Sequence, residues 1–314
     1  MYVDAHYMRS NLLMDPQDVR NKLYRIILTS PEMCLGNSGF AALLKEPRWS
    51  RSILFMVVDE AHCIRQWGGE FRKQYTSLET LRSFVPRGVP VLAGSATMAP
   101  VTLKDVRSTL AIDADKSFHL NLGNDRRNIV PLVWPMDGAA SNLGALDFVV
   151  RGRDQPLRTI IYFNDKRLTM RACNYLRKLL PPSQVHTVDV LHATRGPISK
   201  KEVMERFRSG GVLVLCATEV VGMVCIFYCD VRCPFHTQLQ GTDIPDVDDV
   251  VQFMTPEALS VWIQRAGRAG RDGRLSRAIL LVEPSVAKKV TPKSSKNQKS
   301  SKGVTKGSVL FGSH

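Results

Sequence analysis

The sequence has no apolar run that approaches the roughly 20 residues needed to cross a bilayer as a helix. Its first 14 residues, MYVDAHYMRSNLLM, lack the basic start and unbroken apolar stretch of a secretory leader. Both absences point to a soluble, intracellular protein. The seven cysteines are odd in number and follow no regular framework. That pattern excludes a disulfide scaffold and fits reduced thiols in the cytosol or nucleus. Glycine is missing from the whole opening stretch, the first being Gly36. Acidic residues are missing from the end, with none after Glu283.

What is present is a basic chain with ordinary means to fold. Hydrophobic residues make up 44% of the 314, enough for a sizeable core. The net charge is +14, which calls for a polyanionic partner. Lys288, Lys289, Lys293, Lys296, Lys299, Lys302 and Lys306 supply half of that charge. This Lys-rich end, 286–314, reads as a disordered arm that adds non-specific affinity for phosphate backbones.

Short apolar runs alternate with helical patterns. Strands are expected at 25–30, 54–59, 89–95, 158–163, 188–192, 212–217, 249–253 and 278–282. Helices are expected at 16–23, 75–84, 101–110, 166–180, 199–208 and 256–265. The strands are continuous apolar runs rather than alternating ones. That favours burial on both faces, as in a parallel sheet covered by helices. Eight strands are too many for one comfortable sheet, and a break near 123–127 divides them. The expected architecture is α/β, with two domains at about 1–123 and 126–285 and a basic tail.

The sharpest local signal is Val57-Val58-Asp59-Glu60-Ala61-His62, an apolar strand that ends in adjacent carboxylates. Ligands collect at the carboxyl ends of strands in open α/β sheets. A carboxylate there can hold a hydrated Mg²⁺, and its neighbour can orient water for phosphoryl transfer. Asp59 is assigned to the metal and Glu60 to the water. A loop follows that carries Trp67, Phe71, Arg72 and Tyr75, which is not core patterning. It offers stacking faces and a cation beside the acids.

This stretch from Asp59 to Tyr75 resembles the acidic box and aromatic-rich loop of RecQ-family DNA helicases. The flanking pieces agree in order and spacing. Ser30-Pro31-Glu32 resembles a strand-contacting segment, and Ser95-Ala96-Thr97 resembles the element linking the box to DNA. Asp125-Arg126-Arg127-Asn128 resembles the passage into the second domain, with Arg127 where proline is usual. Gln264-Arg265-Ala266-Gly267-Arg268-Ala269-Gly270-Arg271-Asp272-Gly273 resembles the last motif of superfamily 2 helicases.

The resemblance implies two RecA-like parallel-sheet domains, the first incomplete, and ATP hydrolysis coupled to 3′-to-5′ unwinding. It implies ATP and Mg²⁺ as cofactors, held by Asp59, Glu60, His62, Gln264, Arg268 and Arg271. Arg271 would be the arginine finger, Arg268 a γ-phosphate contact, and Gln264 their positioner. Single-stranded or forked DNA would meet Ser30, Trp67, Phe71, Arg72, Ser95, Thr97 and Thr242. A monomer in the nucleus, away from membranes, is the implied setting.

Two departures qualify the resemblance. Such an enzyme needs a glycine-rich loop ending in Gly-Lys-Ser or Gly-Lys-Thr to cradle phosphates, and nothing before Ser30 resembles one. The expectation is a chain truncated at its start, with an exposed sheet edge, very weak ATP binding and no measurable hydrolysis. The second departure is Val224–Gln240, which separates Gly222-Met223 from Gly241-Thr242-Asp243. Removing these 17 residues restores an unbroken motif, as expected of a translated, unspliced intron of 51 nucleotides. Cys225, Cys229, Cys233 and His236 within it could suit Zn²⁺, but the usual two-residue spacers are absent and zinc is not expected. Two other readings remain open: a non-catalytic DNA-binding relic or mispredicted gene product, and a DEAD-box-like RNA helicase.

Overall fold

The computed structural model describes residues 16–27, 29, 31–35, 39–66, 78–139, 142–218, 244 and 246–286. Trp67, Phe71, Arg72, Ser30, Thr242, the segment 224–240 and the lysine tail lie outside the described residues. The chain divides into two compact units that meet between Asn124 and Asp125.

The first unit opens with four short helices: α1 (Pro16–Arg20), α2 (Pro31–Leu35), α3 (Gly39–Leu44) and α4 (Pro47–Ser50). Proline begins three of them, where its missing N–H costs nothing. They pack around Val19, Cys34, Phe40, Leu43, Leu44 and Trp49. Trp49 Nε1 donates to the Val19 carbonyl at 3.0 Å, so its polar end is satisfied inside this cluster.

Strand β1 (Met56–Val58) leads to α5 (Cys63–Gln66), then α6 (Leu78–Phe84), β2 (Val91–Ala93) and α7 (Pro100–Thr109). β1 and β2 pair in parallel, Val57 opposite Leu92. One face of this pair is covered: Val58 packs with Ala61, Ile64, Leu78, Val106 and Leu110. Among the described residues nothing covers the other face: Val57 is 60% exposed and Leu92 52%.

That corrects the expectation of burial on both faces for this unit. The expected strand at 25–30 is also not found: residues 25–27 and 29 are not in a strand. A strand exists only by pairing, and the described sheet here is just β1 with β2. Tyr24 and Ile27 instead pack on the helix cluster.

The second unit is a six-stranded parallel sheet in the order β3-β8-β7-β4-β6-β5. The strands are β3 (Ile129–Pro135), β4 (Thr159–Tyr162), β5 (Val188–Leu191), β6 (Val214–Ala217), β7 (Asp249–Phe253) and β8 (Ser276–Val282). Among the described residues, three helices of eight residues or more accompany them: α8 (Lys166–Leu179), α9 (Pro197–Arg208) and α10 (Leu259–Ala266).

Here the apolar runs are buried on both faces. Ile161, Phe163, Val190, Cys216 and Val251 pack with Ala172, Cys173 and Leu176 of α8 on one side. Ile160, Tyr162, Leu191, Leu215 and Val250 pack with Val203, Met204 and Phe207 of α9 on the other. Each helix buries residues at helical spacing. Asp165 caps α8 by accepting from the Leu168 amide at 2.9 Å. Pro181 and Pro182 follow its end and prevent continuation.

β3 carries Pro131 and Pro135, and sequence patterning names no strand there. It lies at the edge of the sheet and pairs only with β8. An edge strand tolerates a residue without an N–H, so proline does not exclude it.

Candidate functional site

In the first unit, the carboxyl ends of β1 and β2 are tied together beyond the strands themselves. Gly94 donates to the Val58 carbonyl at 2.9 Å, and Ala61 donates to the Gly94 carbonyl at 2.9 Å. This places Asp59 to His62 beside Ser95 to Thr97. Glu60 takes a left-handed conformation, φ 50°, which a non-glycine residue adopts at a cost of about 1 kcal/mol or more. Strain of this kind persists only where the surroundings enforce it.

Asp59 is exposed, and its Oδ1 accepts the Glu60 amide at 2.8 Å. His62 is buried. Its Nδ1 lies 2.9 Å from Ser95 Oγ and 3.1 Å from Glu60 Oε2. Ser95 Oγ also lies 2.8 Å from the Thr97 carbonyl, to which it donates. A hydroxyl has one hydrogen, so toward His62 it can only accept. Nδ1 therefore carries a proton that it gives to Ser95, and Glu60 is held by charge more than by alignment.

Burial works against a charge on this imidazole. Hydrogen bonds and charges from Cys63 and Glu60 outweigh it and raise the His62 pKa from 6.5 to about 9. At neutral pH the ring is an imidazolium clamped between the carboxylate and the hydroxyl. The result is a continuous chain, Glu60 to His62 to Ser95 to the Thr97 backbone, across the ends of two parallel strands. Thr97 is buried, and among the described residues its hydroxyl has no hydrogen-bond partner.

One exposed carboxylate at a strand end suits a Mg²⁺ ion that keeps most of its water. Asp59 has that character. Among the described residues, no group of three or more His, Cys, Asp or Glu could cage a metal. For a nucleotide the fit is partial, because the 314 residues contain no Gly-Lys-Ser or Gly-Lys-Thr sequence to cradle phosphates.

In the second unit, α10 runs into the arginine segment. Gln264 and Arg268 are half-buried and Arg271 is exposed. The first turn past the helix is fixed by Gly267 donating to Ile263 at 2.9 Å and Arg268 to Arg265 at 3.0 Å. Gly270 then donates to the Val247 carbonyl at 3.0 Å, which brings the loop back onto the sheet.

Arg265 was not singled out by sequence, yet it anchors this helix. It is buried, donates to Gln252 Oε1 and to Asn164 Oδ1 at 3.2 Å, and lies 5.2 Å from the Tyr162 ring. The available signal was its position three residues after Trp262, on the buried face of the helix.

The structure thus brings Glu60, His62, Ser95 and Thr97 together, with Asp59 adjoining. In the second unit Gln264 lies on α10, and Arg268 and Arg271 lie in the loop that follows it. Five of the seven expected DNA-contacting positions, Ser30, Trp67, Phe71, Arg72 and Thr242, fall outside the described residues.

Comparison with known proteins gives the same two-part division. A family model described as DEAD/DEAH box helicase matches residues 4–106. One described as helicase conserved C-terminal domain matches residues 143–273. The ATP-dependent DNA helicase RecQ of Pasteurella multocida (strain Pm70) is 30% identical over 292 residues, covering 90% of this chain and 40% of that protein. The bifunctional 3'-5' exonuclease/ATP-dependent helicase WRN of Mus musculus is 29% identical over 280 residues, covering 85% and 17%. The chain therefore spans less than half the length of these relatives.

Among solved structures, the DUF1998 helicase MrfA bound to DNA and AMPPNP superposes with a TM-score of 0.62 at 16% identity, covering 90% of this chain and 38% of that one. Dbp5 of S. cerevisiae bound to RNA and ADP BeF3 gives 0.57 at 19%, covering 88% and 62%. At these identities the likeness is one of fold, and it establishes RecA-like parallel-sheet units.

Proposed function

From the premise that this chain belongs to the RecQ family of ATP-dependent DNA helicases, we propose that it is a DNA-binding helicase core that retains the acid and arginine elements of ATP-driven 3′-to-5′ unwinding but does not hydrolyse ATP as these 314 residues alone. The observation that carries the reading is the chain in which Glu60 is ion-paired to His62, and His62 is hydrogen-bonded through Ser95 to the Thr97 backbone. It joins the acidic box to the Ser-Ala-Thr turn and gives a physical route by which the state of one affects the other.

In this reading Asp59 would hold Mg²⁺, and Glu60, beside His62, would orient the attacking water. Arg268 and Arg271 would stabilise charge on the γ-phosphate, with Gln264 as their positioner. ATP with Mg²⁺ would supply the phosphoryl group whose transfer to water drives strand movement. Ser95 and Thr97 would face DNA, with Ser30, Trp67, Phe71, Arg72 and Thr242 as further contacts. Single-stranded or forked DNA, a monomeric state and a nuclear location belong to the same proposal.

The missing element is the phosphate cradle. Phosphate contacts dominate nucleotide binding, so the expected ATP affinity is very low. The test is ATP hydrolysis by the purified chain, with and without single-stranded DNA. Turnover above that of an Asp59→Ala, Glu60→Ala double variant would overturn the proposed inactivity.

The absence of a Gly-Lys-Ser or Gly-Lys-Thr sequence also favours a second reading, a non-catalytic DNA-binding protein. Binding to single-stranded DNA, measured against salt with and without ATP, separates the two. ATP-dependent affinity supports a working motor, and a steep salt slope indifferent to ATP supports the non-catalytic binder. A preference for RNA in that assay would support an RNA helicase instead. Val224–Gln240 is proposed to be retained intron sequence, and a transcript pool that keeps the 51 nucleotides in most molecules would sink that.

A further inference from the structure

Asn128 is the fourth residue of the second unit, which begins at Asp125. Its side-chain amide has two hydrogens, and both are used on the arginine loop. Nδ2 donates to the Gly270 carbonyl at 2.7 Å and to the Arg274 carbonyl at 3.0 Å. Arg126 adds a second grip: its Nη2 donates to the same Gly270 carbonyl at 3.0 Å. The backbone closes the arrangement. Ser276, the first residue of β8, donates to the Asn128 carbonyl at 2.8 Å, and Ile129 donates to Arg126 at 2.8 Å.

The loop is shaped to receive this clasp. Gly270 has φ +53°, and a Cβ there would stand 2.5 Å from Asn128 Nδ2, 2.8 Å from the Arg274 carbonyl and 2.9 Å from Ser276 Oγ. Any side chain at 270 would push the clasp away. Gly270 lies between Arg268 and Arg271, so its carbonyl is the point at which that pair is tied down. A third donor, the Gly273 amide at 3.1 Å, completes it.

A rigid guanidinium fork is useful on a phosphate only when its backbone is held, because displacement of about 1 Å costs much of its effect. The Gly270 amide on Val247 and Arg274 Nη1, 3.9 Å from Asp248 Oδ1, also tie the loop to the residues that lead into β7. The Asn128 and Arg126 bonds span more than 140 residues of sequence.

We infer that Asn128 and Arg126 are positioning residues for the arginine loop, clasping it from the start of the second unit. The inference rests on the reading of Arg268 and Arg271 as phosphate contacts, and it adds a mechanical consequence. Displacement of residues 126–128 is felt directly at Gly270.

The test uses the full 314-residue chain. Amide hydrogen exchange is followed by mass spectrometry in the unaltered protein and in Asn128→Ala, Arg126→Ala and Arg126→Lys. Losing two neutral hydrogen bonds is expected to speed exchange about tenfold at amides 268–274 in Asn128→Ala, with β4 and β6 unchanged. Arg126→Ala is expected to loosen the loop less, and Arg126→Lys, which keeps a donor, to restore part of it. An unchanged loop, or faster exchange spread evenly over the second unit, overturns the inference.

A second readout is phenylglyoxal modification of Arg268 and Arg271, with and without inorganic tripolyphosphate. Tripolyphosphate is expected to slow both modifications in the unaltered protein, and Asn128→Ala to lose at least half of that protection. Equal protection in the variant would overturn the positioning role. No protection in the unaltered protein would instead sink the phosphate reading, and the exchange result would still decide whether the clasp holds the loop.

Discussion

His62 and Glu60, two residues apart on a strained turn, form an ion pair in which Nδ1 lies 3.1 Å from Oε2. The histidine is buried and the carboxylate is partly open to water, so the pair couples the turn's stability to pH. The raised pKa sets the direction. Its favourable effect is fully present below about pH 6.5 and is lost as pH rises through about 9. The first unit is expected to lose up to ~3 kcal/mol of stability between those values. Urea unfolding at several pH values checks this; Cys63 and Glu60 both raise the pKa, so Glu60→Gln is expected to flatten only part of the dependence. A pH-independent midpoint in the unaltered protein would contradict the ion pair.

Asp189 on edge strand β5 should be the most sensitive charged position of the second unit. It is buried, and Arg195 at 3.0 Å, Arg206 at 3.1 Å and Arg177 at 3.6 Å surround it. The same arginines donate to the carbonyls of Val190, His186 and Val188, alternate residues along that strand and the turn before it. The guanidinium groups thereby occupy acceptors that could otherwise pair with another strand. Asp189→Ala leaves three cations without their common anion. The expected cost is ~2 kcal/mol, below that of a fully buried pair because the arginines are partly solvated. Asp189→Asn should cost less, since it still accepts hydrogen bonds. Equal stability of all three proteins in urea would refute this account.

Val57 and Leu92 face each other across β1 and β2 on the uncovered side of the first unit. Val57→Thr with Leu92→Thr should change stability by less than ~0.5 kcal/mol, as surface substitutions do. It should also reduce binding of a hydrophobic dye and concentration-dependent association. Unfolding of the double variant would mean that this face is covered in solution.

The seven lysines after Glu283 act on a polyanion through charge alone. Deleting residues 286–314 should weaken binding to single-stranded DNA and lower the slope of log affinity against log salt by up to ~5, about 0.7 for each lysine lost. An unchanged slope would show that the tail does not touch the phosphate backbone.

Much of this protein could be read in its sequence because the second unit is built from local patterns that agree with the fold. The strand expected at 249–253 is β7 to the residue, and the helix expected at 166–180 ends one residue early. Both are apolar runs or periodic stripes bounded by capping residues and prolines, so nearest neighbours along the chain carry the signal. β3 escaped because Pro131 and Pro135 argue against a strand until its place at the sheet edge is known. The expected strand at 25–30 failed for the opposite reason: its apolar pattern was real, but what it packs against is a cluster of helices.

The same contrast runs through the candidate site. Sequence alone fixed which residues stand at strand ends and loops, and the order of the acidic box, the Ser-Ala-Thr turn and the arginine segment, because motifs are statements about neighbours in the chain. It could not say that His62 meets Ser95, that Arg265 is buried, or that Asn128 holds Gly270. Those facts depend on groups 33, 13 and 142 residues apart meeting within hydrogen-bond distance. Proximity of that kind sets burial, proton affinity and loop position, and only the folded chain supplies it.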